Sequence, residues 1–318
     1  MTVTKVRVGI LGSGFMGQTH GRILQSDPRA ELGAVFDVDA GRRAEAAREL
    51  QCDAAESEAA LLDSVDAVYV TLPNRLHAAA AGRALAAGKH VFCEKPFATS
   101  LEEARELRAA ALASGHVFMV GHNRRFAPVY RFVKETLDGG LRATSAHFKM
   151  NRGELQAPPW VGDPAVTGGY LYETPIHLLD LARWFFGEVK DLRSAVRTCV
   201  YAEPDNFSLL VTFASGLALT FVSCAHATWA FPFERVEVFG RYFTLETAEM
   251  ERVACTSGLE AATTTRDFHA LALDEKRGYA GIDHNFISAV MGEEEPLVAA
   301  EDGYRSVELV DRIYRFLI

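Results

Sequence analysis

Three glycines, an aspartate, a lysine and a glutamate–histidine pair are the residues whose types and spacing could do chemistry. Gly12-Ser13-Gly14-Phe15-Met16-Gly17 has the G-x-G-x-x-G spacing and follows the apolar run Val6, Val8, Ile10, Leu11. Gly12 allows a tight turn out of a strand, Gly14 lets the backbone approach a pyrophosphate, and Gly17 lets the following helix lie close to the sheet. The start of that helix offers unpaired N–H groups and a positive dipole end to phosphate. Asp37 ends a second strand about twenty residues further on, where a carboxylate accepts hydrogen bonds from an adenosine ribose. An incidental glycine-rich turn could share the spacing, but not the strand–turn–helix–strand context. The stretch is a dinucleotide site.

Ligands of a doubly wound sheet lie beyond the carboxyl ends of its strands. That singles out Thr71-Leu72-Pro73-Asn74 with His77 a turn later, Cys93-Glu94-Lys95-Pro96, and Gly121–Phe126 with Asn123 and Arg124. Lys95, just past a strand and between the two expected domains, can hydrogen-bond a reacting oxygen and favour negative charge on it. Standing alone it would read as a surface lysine. Glu173 and His177 are four apart, a spacing that suits a general acid/base imidazole tuned by a carboxylate. If a helix begins before Glu173 the two share a face; otherwise they flank its N-terminus, with Pro175 in the first turn. A capping glutamate and a satisfied core histidine fit the same spacing. Glu173, His177 and Asp180 have metal-ligand types but no third histidine or cysteine nearby, so no metal is expected.

The elements that must position these residues change character along the chain. Strands alternate with helices through about residue 121: the strands 31–36, 67–72, 90–93 and 117–120 are interleaved with helices over 40–50, 56–62, 77–87 and 101–114. Ser100 and Glu103 form a capping box at the last of these helices. This is an α/β Rossmann-type, doubly wound parallel sheet. From residue 143 long alternating segments predict an open, mostly antiparallel sheet, an α+β domain. Its strands are expected near 189–201, 207–214, 217–225, 234–239, 242–247, 250–255 and 267–273, interrupted by one helix, 176–186. Helices over 283–291 and 302–317 close the chain. The expected domains are 1–121 for dinucleotide binding and 122–318 for substrate binding and oligomerisation, the last helix being free to pack back on the first domain.

A chain of 318 residues is long for one core, which agrees with two domains. The net charge of −9 argues against nucleic acid or an anionic membrane as partner. The five scattered cysteines make no C-x-x-C pair and read as reduced thiols of a cytoplasmic protein. The uncharged stretch after Asn206 alternates with period two about Ser215-Gly216, the pattern of a β-hairpin and not of a membrane span. No helix is assigned to one face of the second sheet, where Leu219 and Phe221 or their neighbours alternate; exposed apolar faces of that kind are interaction surfaces. The loop 151–160 supplies Arg152 and Trp160 as candidate contacts for a polyol.

These motifs together resemble the glucose–fructose oxidoreductase / inositol dehydrogenase / rhizopine-catabolism (Gfo/Idh/MocA) family of NAD(P)-dependent oxidoreductases over essentially the whole chain. The resemblance is carried by Gly12-x-Gly14-x-x-Gly17 with His20, Pro73-Asn74…His77, Glu94-Lys95-Pro96, Asn123-Arg124-Arg125-Phe126 and Gly168-Gly169…His177. It implies hydride transfer between nicotinamide and a carbon bearing a sugar or cyclitol hydroxyl. Lys95 would hold the substrate oxygen, His177 would move its proton, and Glu173 would assist. Gly12 to Gly17, Asp37, Arg42, Thr71 to Asn74, His77, Glu94, Lys95 and Arg124 would line the cofactor. Asn123, Arg152, Trp160, Lys95 and His177 would line a small polyhydroxylated substrate. The resemblance also implies a cis Lys95–Pro96 bond and a homodimer or homotetramer through the second sheet. The family's commoner pattern has Asp where this chain has Glu173, and Gly where it has Pro175. Asp37 favours NAD by repelling a 2′-phosphate, while Arg42 and Arg43 keep NADP possible. A redox-neutral glycosidase using bound NAD and a non-catalytic dinucleotide sensor are the competing readings.

Overall fold

The computed structural model describes residues 5–152, 162–228, 233–259 and 262–315. By contact the chain divides into two units: one runs to His122 and is joined by Tyr279–Val307, the other is Asn123–Gly278 with Glu308–Ile318. This differs from a single cut after residue 121, because a late segment returns to the first unit. The return is held by Val120 N–H donating to Val298 O at 2.9 Å and by Asp283, which meets His20 in the interior.

In the first unit six parallel strands run in the order β3-β2-β1-β4-β5-β6. They are β1 Val6–Leu11, β2 Ala30–Phe36, β3 Asp53–Ala54, β4 Ala67–Val70, β5 His90–Cys93 and β6 Phe118–Val120. The chain winds outward from β1 in one direction as far as β3 and in the other from β4 to β6, so the switch point lies between β1 and β4. Val8, Ile10, Val68, Val70, Val91 and Phe92 are wholly buried, the near-continuous apolar runs of strands covered on both faces. The helices start on side-chain caps where the sequence provides them: Asp39 accepts from Arg42 N–H, Ser57 from Ala60 N–H, and Ser100 from Glu103 N–H. Helix Leu101–Ser114 ends on Gly115 at φ +69, in the left-handed region.

In the second unit eight strands run β14-β13-β12-β11-β7-β10-β9-β8. These are β7 Ala143–Asn151, β8 Val189–Arg197, β9 Asn206–Phe213, β10 Ala218–Cys224, β11 Glu234–Gly240, β12 Phe243–Ala248, β13 Arg252–Ser257 and β14 Ala262–Asp267. All neighbours are antiparallel except β7 and β10. Phe148, Val211, Phe213, Leu219, Phe221 and Val236 are buried on one face, where Phe186 meets Phe213 with ring centroids 5.4 Å apart. Leu219 and Phe221 therefore belong to the covered face, not the open one. The period-two pleat puts Thr220 and Val222 outward instead, and Leu210 and Val222 are exposed large apolar residues there.

Two further elements differ from expectation. Helix Pro128–Asp138 is an additional element, with Pro128 in its first turn and Val129, Tyr130 and Val133 facing inward. The last strand is Ala262–Asp267, not 267–273; it is an edge strand exposed along its length, and Leu273–Lys276 is a short helix. A fully exposed edge carries no burial pattern, whereas Phe268, Leu271 and Leu273 imitate one. Among the described residues no helix is long and apolar enough to cross a membrane.

Candidate active site

The first unit builds its part of the site on the carboxyl edge of the parallel sheet. β1 runs into Gly12, whose φ of +100 is open to glycine, and an added Cβ would lie 2.7 Å from Thr71 O. A Cβ on Gly17 would lie 2.0 Å from Gly12 O, so the helix can start this near to β1 only on glycine. Gly14 differs: a Cβ there would meet no protein atom within 4 Å. The space it leaves is open at the N-terminus of helix Phe15–Ser26, which has no side-chain cap and no acid in its first turn. Free N–H groups, a dipole end and an open approach are what a pyrophosphate needs, so these residues fit a dinucleotide.

Around the turn most side chains brace it. The Thr71 hydroxyl donates to Leu11 O and Gly12 O at 3.1 and 2.7 Å, and Gln18 Nε2 reaches Ser13 O. Asp37 is 8% exposed. Its Oδ2 accepts from Ser13 N–H and hydroxyl, and its Oδ1 accepts from Asp39 N–H and Arg42 Nη2. Burial alone would raise this carboxyl, but the Asp39 and Ser13 hydrogen bonds and the Arg42 charge hold it below the usual range. Asp37 thus ties the glycine turn to the end of β2. Phe15 is exposed and Met16 half-buried beside the turn. The Pro73-Asn74 turn follows β4, with Asn74 buried.

At the end of β5, Lys95 is half-buried. Its N–H donates to Glu94 Oε2 at 3.0 Å, and the Lys95–Pro96 peptide bond is cis. Two residues expected to touch cofactor have their polar atoms turned to the protein. Glu94 is 5% exposed and its second oxygen, Oε1, lies 3.1 Å from His20 Nε2. His77 is fully enclosed, with Nδ1 2.8 Å from Pro96 O and Nε2 2.6 Å from Leu72 O. Burial lowers its pKa against the pull of those two carbonyls. His77 is a strut between the loops after β4 and β5.

The second unit holds the acid/base candidates. Tyr170–Glu173 is a short helical turn, Thr174 breaks it, and Pro175 precedes helix Ile176–Phe186. Glu173 and His177 therefore flank a helix start and do not share one face. His177 is 7% exposed. Arg152 grips the break, donating from Nη1 to Thr174 Oγ1 at 3.1 Å. Burial lowers its pKa while the neighbouring Glu173 charge raises it. Arg152 thus supports the segment between Glu173 and His177, a role its place in the sequence did not show. Trp160 lies outside the described residues.

Three other polar residues of this unit bind the fold. Asn123 is buried and donates from Nδ2 to Arg277 O at 2.8 Å, bracing a turn. Arg124 donates to Glu234 Oε2 at 3.2 Å, and Tyr130 donates to the other oxygen of the same carboxylate. Asp180 accepts a two-pronged pair of bonds from Arg125 at 2.7 and 2.8 Å, which occupies it structurally. The polar atoms of these residues bind the fold because each lies on a buried helix or turn whose own groups need partners.

A family model described as an oxidoreductase family with an NAD-binding Rossmann fold matches residues 6–122, and its C-terminal domain model matches 128–246. An uncharacterised oxidoreductase of Bacillus subtilis is 30% identical over 246 residues, covering 74% of this chain and 72% of its own. Inositol 2-dehydrogenase of Rhizobium meliloti is 27% identical, covering 98% of this chain and 96% of its own. Among solved structures, levoglucosan dehydrogenase in complex with NADH and levoglucosan has the same fold at a TM-score of 0.90 and 21% identity, covering 98% of this chain and 97% of its own.

Proposed function

The chain belongs to the GFO/IDH/MocA family of NAD-binding oxidoreductases, and from that premise we propose that it oxidises a carbinol of a sugar, inositol or related polyol, or reduces the matching keto-sugar. NAD, when bound, supplies the hydride acceptor. The observation that carries the reading is the placing of Lys95 on the same carboxyl edge of the sheet as the uncapped glycine turn. A cation fixed there holds a substrate oxygen where a dinucleotide laid along that edge presents its reactive ring.

In this reading the first unit binds the dinucleotide and the second supplies the proton carrier. Lys95 Nζ donates to the substrate oxygen and stabilises negative charge as the proton leaves. His177 takes or returns that proton, and Glu173 with Arg152 sets the field around the segment that carries it. Relatives of inositol and levoglucosan specificity support the substrate class. The five free cysteines suit the cytoplasm. The open face of the second sheet suits a homodimer, or a tetramer made of two: Leu210 on β9 and Val222 on β10 lie toward its β8 edge, with Arg193 on β8 to one side and Glu237 and Glu246, both paired to Arg235, to the other.

The test is a panel of inositols, aldoses, anhydrosugars and nucleotide sugars with NAD and with NADP, read by reduced-nicotinamide absorbance. Lys95→Ala and His177→Ala are each expected to lower turnover by roughly a hundredfold, with NAD affinity unchanged in the histidine variant. Product release without net NADH formation would instead identify a redox-neutral enzyme. Dinucleotide binding with no turnover of any member would favour a sensor.

A further inference from the structure

His20 has no part in the roles given to Lys95, His177 and Glu173, yet it is wholly buried. Its Nδ1 lies 2.7 and 2.9 Å from the two oxygens of Asp283, and its Nε2 lies 3.1 Å from Glu94 Oε1. Burial raises the Asp283 carboxyl against the pull of His20; with both carboxylates ionised their oxygens only accept, so both ring nitrogens donate and the ring is an imidazolium. The rings of Tyr69, Phe92 and Tyr279 surround it, with centroids 5.3, 4.9 and 6.0 Å away, and aromatic faces favour a cation. Burial pulls its pKa down, but Asp283 and Glu94 outweigh burial and hold it at about 10. The remaining titratable neighbours are Tyr69, whose hydroxyl burial keeps protonated, and Tyr279. His77 and Lys95 act on Glu94 itself. The wall closes around Glu94 as well, since a Cβ on Gly121 would lie 2.9 Å from its carboxylate.

The second oxygen of Glu94 accepts the Lys95 N–H. A continuous chain of charge-assisted bonds therefore runs from helix Tyr279–Val290 through His20, on the helix that opens at the glycine turn, to the backbone of Lys95. We infer that His20 is a positioning residue for Lys95: the Asp283–His20–Glu94 triad fixes the backbone from which that side chain departs. The role of Lys95 rests on the reading above; the triad itself does not. Without the imidazolium Asp283 would face a dry interior with no counter-charge, and Glu94 would keep only the Lys95 charge. One of them would take up a proton or turn away, and Glu94 would release the Lys95 N–H.

The test follows the Lys95 amide by ¹H–¹⁵N spectroscopy on the full chain, which needs no turnover. In the wild type its resonance is expected to shift with a midpoint near the alkaline pKa of His20. His20→Gln should abolish the shift and speed exchange of the Lys95 amide by about tenfold or more, leaving the Val91 and Phe92 amides protected. Asp283→Asn keeps the shape and removes one carboxylate, so it should move the midpoint toward neutral pH; it serves if His20→Gln does not fold. Unchanged Lys95 exchange in folded His20→Gln, or an unmoved midpoint in Asp283→Asn, would overturn the inference. With an active substrate, His20→Gln should lower kcat about tenfold with NAD affinity within about threefold. If the amide responds but the wild type turns over no polyol, the triad stands and the dehydrogenase reading fails. If turnover is present but the amide ignores His20, the reverse holds.

Discussion

Asp37 Oδ2 accepts both the backbone N–H and the hydroxyl of Ser13, at 3.0 and 2.9 Å. One carboxylate thereby closes the glycine turn, and in the proposed reading it also holds the ribose. Asp37→Ala should weaken NAD binding by roughly ten- to a hundredfold, the scale of a hydrogen bond to a charged group, and relax discrimination against NADP. Ser13→Ala should weaken it less, because the N–H bond survives. Calorimetric titration with both cofactors measures this; a wild type more than about tenfold better with NADP would reverse the assignment.

Two glycines of the same motif should separate binding from folding. Gly14→Ala adds a methyl that meets no protein atom within 4 Å, at a φ of −69. Its melting temperature should match wild type while NAD affinity falls, since the methyl occupies the pyrophosphate's approach. Gly17→Ala puts its methyl 2.0 Å from Gly12 O and should lose both stability and binding. Equal melting temperatures for the two variants would show that the turn yields more easily than this geometry implies.

The open face of the second sheet makes a prediction about assembly. Leu210→Glu with Val222→Lys places charge on two exposed large apolar residues of that face without touching the buried side of either strand. Light scattering should show a dimer or tetramer for wild type and a monomer for the double variant, with folding intact. A wild type already monomeric at micromolar concentration would remove the proposed contact.

His20 predicts a pH dependence of stability. Its folded pKa of about 10 lies above the ordinary 6.5, so its contribution is complete below pH 6.5 and is lost progressively as pH rises toward 10. Chemical denaturation at a series of pH values should show wild type losing stability over that window relative to His20→Gln. Parallel curves for the two proteins would mean that the imidazolium is not the stabilising form.

The dinucleotide turn was legible because its chemistry dictates its backbone: Gly12 needs a positive φ and Gly17 has no room for a Cβ. The capping box at Ser100 and the hairpin about Ser215-Gly216 were legible for the same local reason. What stayed hidden depends on partners distant in sequence. Nothing near Asp283 announces that it meets His20, although an acid beside Ile282, Phe286 and Ile287 on a buried helix is itself a signal. His77, Glu94, Asn123 and Arg124 carry the right types at the right strand ends, yet their polar atoms satisfy carbonyls, carboxylates and N–H groups of the fold. Side-chain type and spacing place a residue near a site; the burial of surrounding backbone decides which way it points.

The late return of Tyr279–Val307 to the first unit has a consequence for the order in which the protein is made. By the time His122 leaves the ribosome all six parallel strands exist, but Asp283, Phe286 and the strand partner Ala299 do not. At roughly 5–20 residues per second the gap lasts on the order of ten to thirty seconds. Throughout it His20 lacks its Asp283 counter-charge, and Tyr69 and Phe92 lack the ring of Phe286 that closes over them. The nascent nucleotide-binding half therefore waits, unsealed on one side, for the whole of the other half to be translated before its interior can dry.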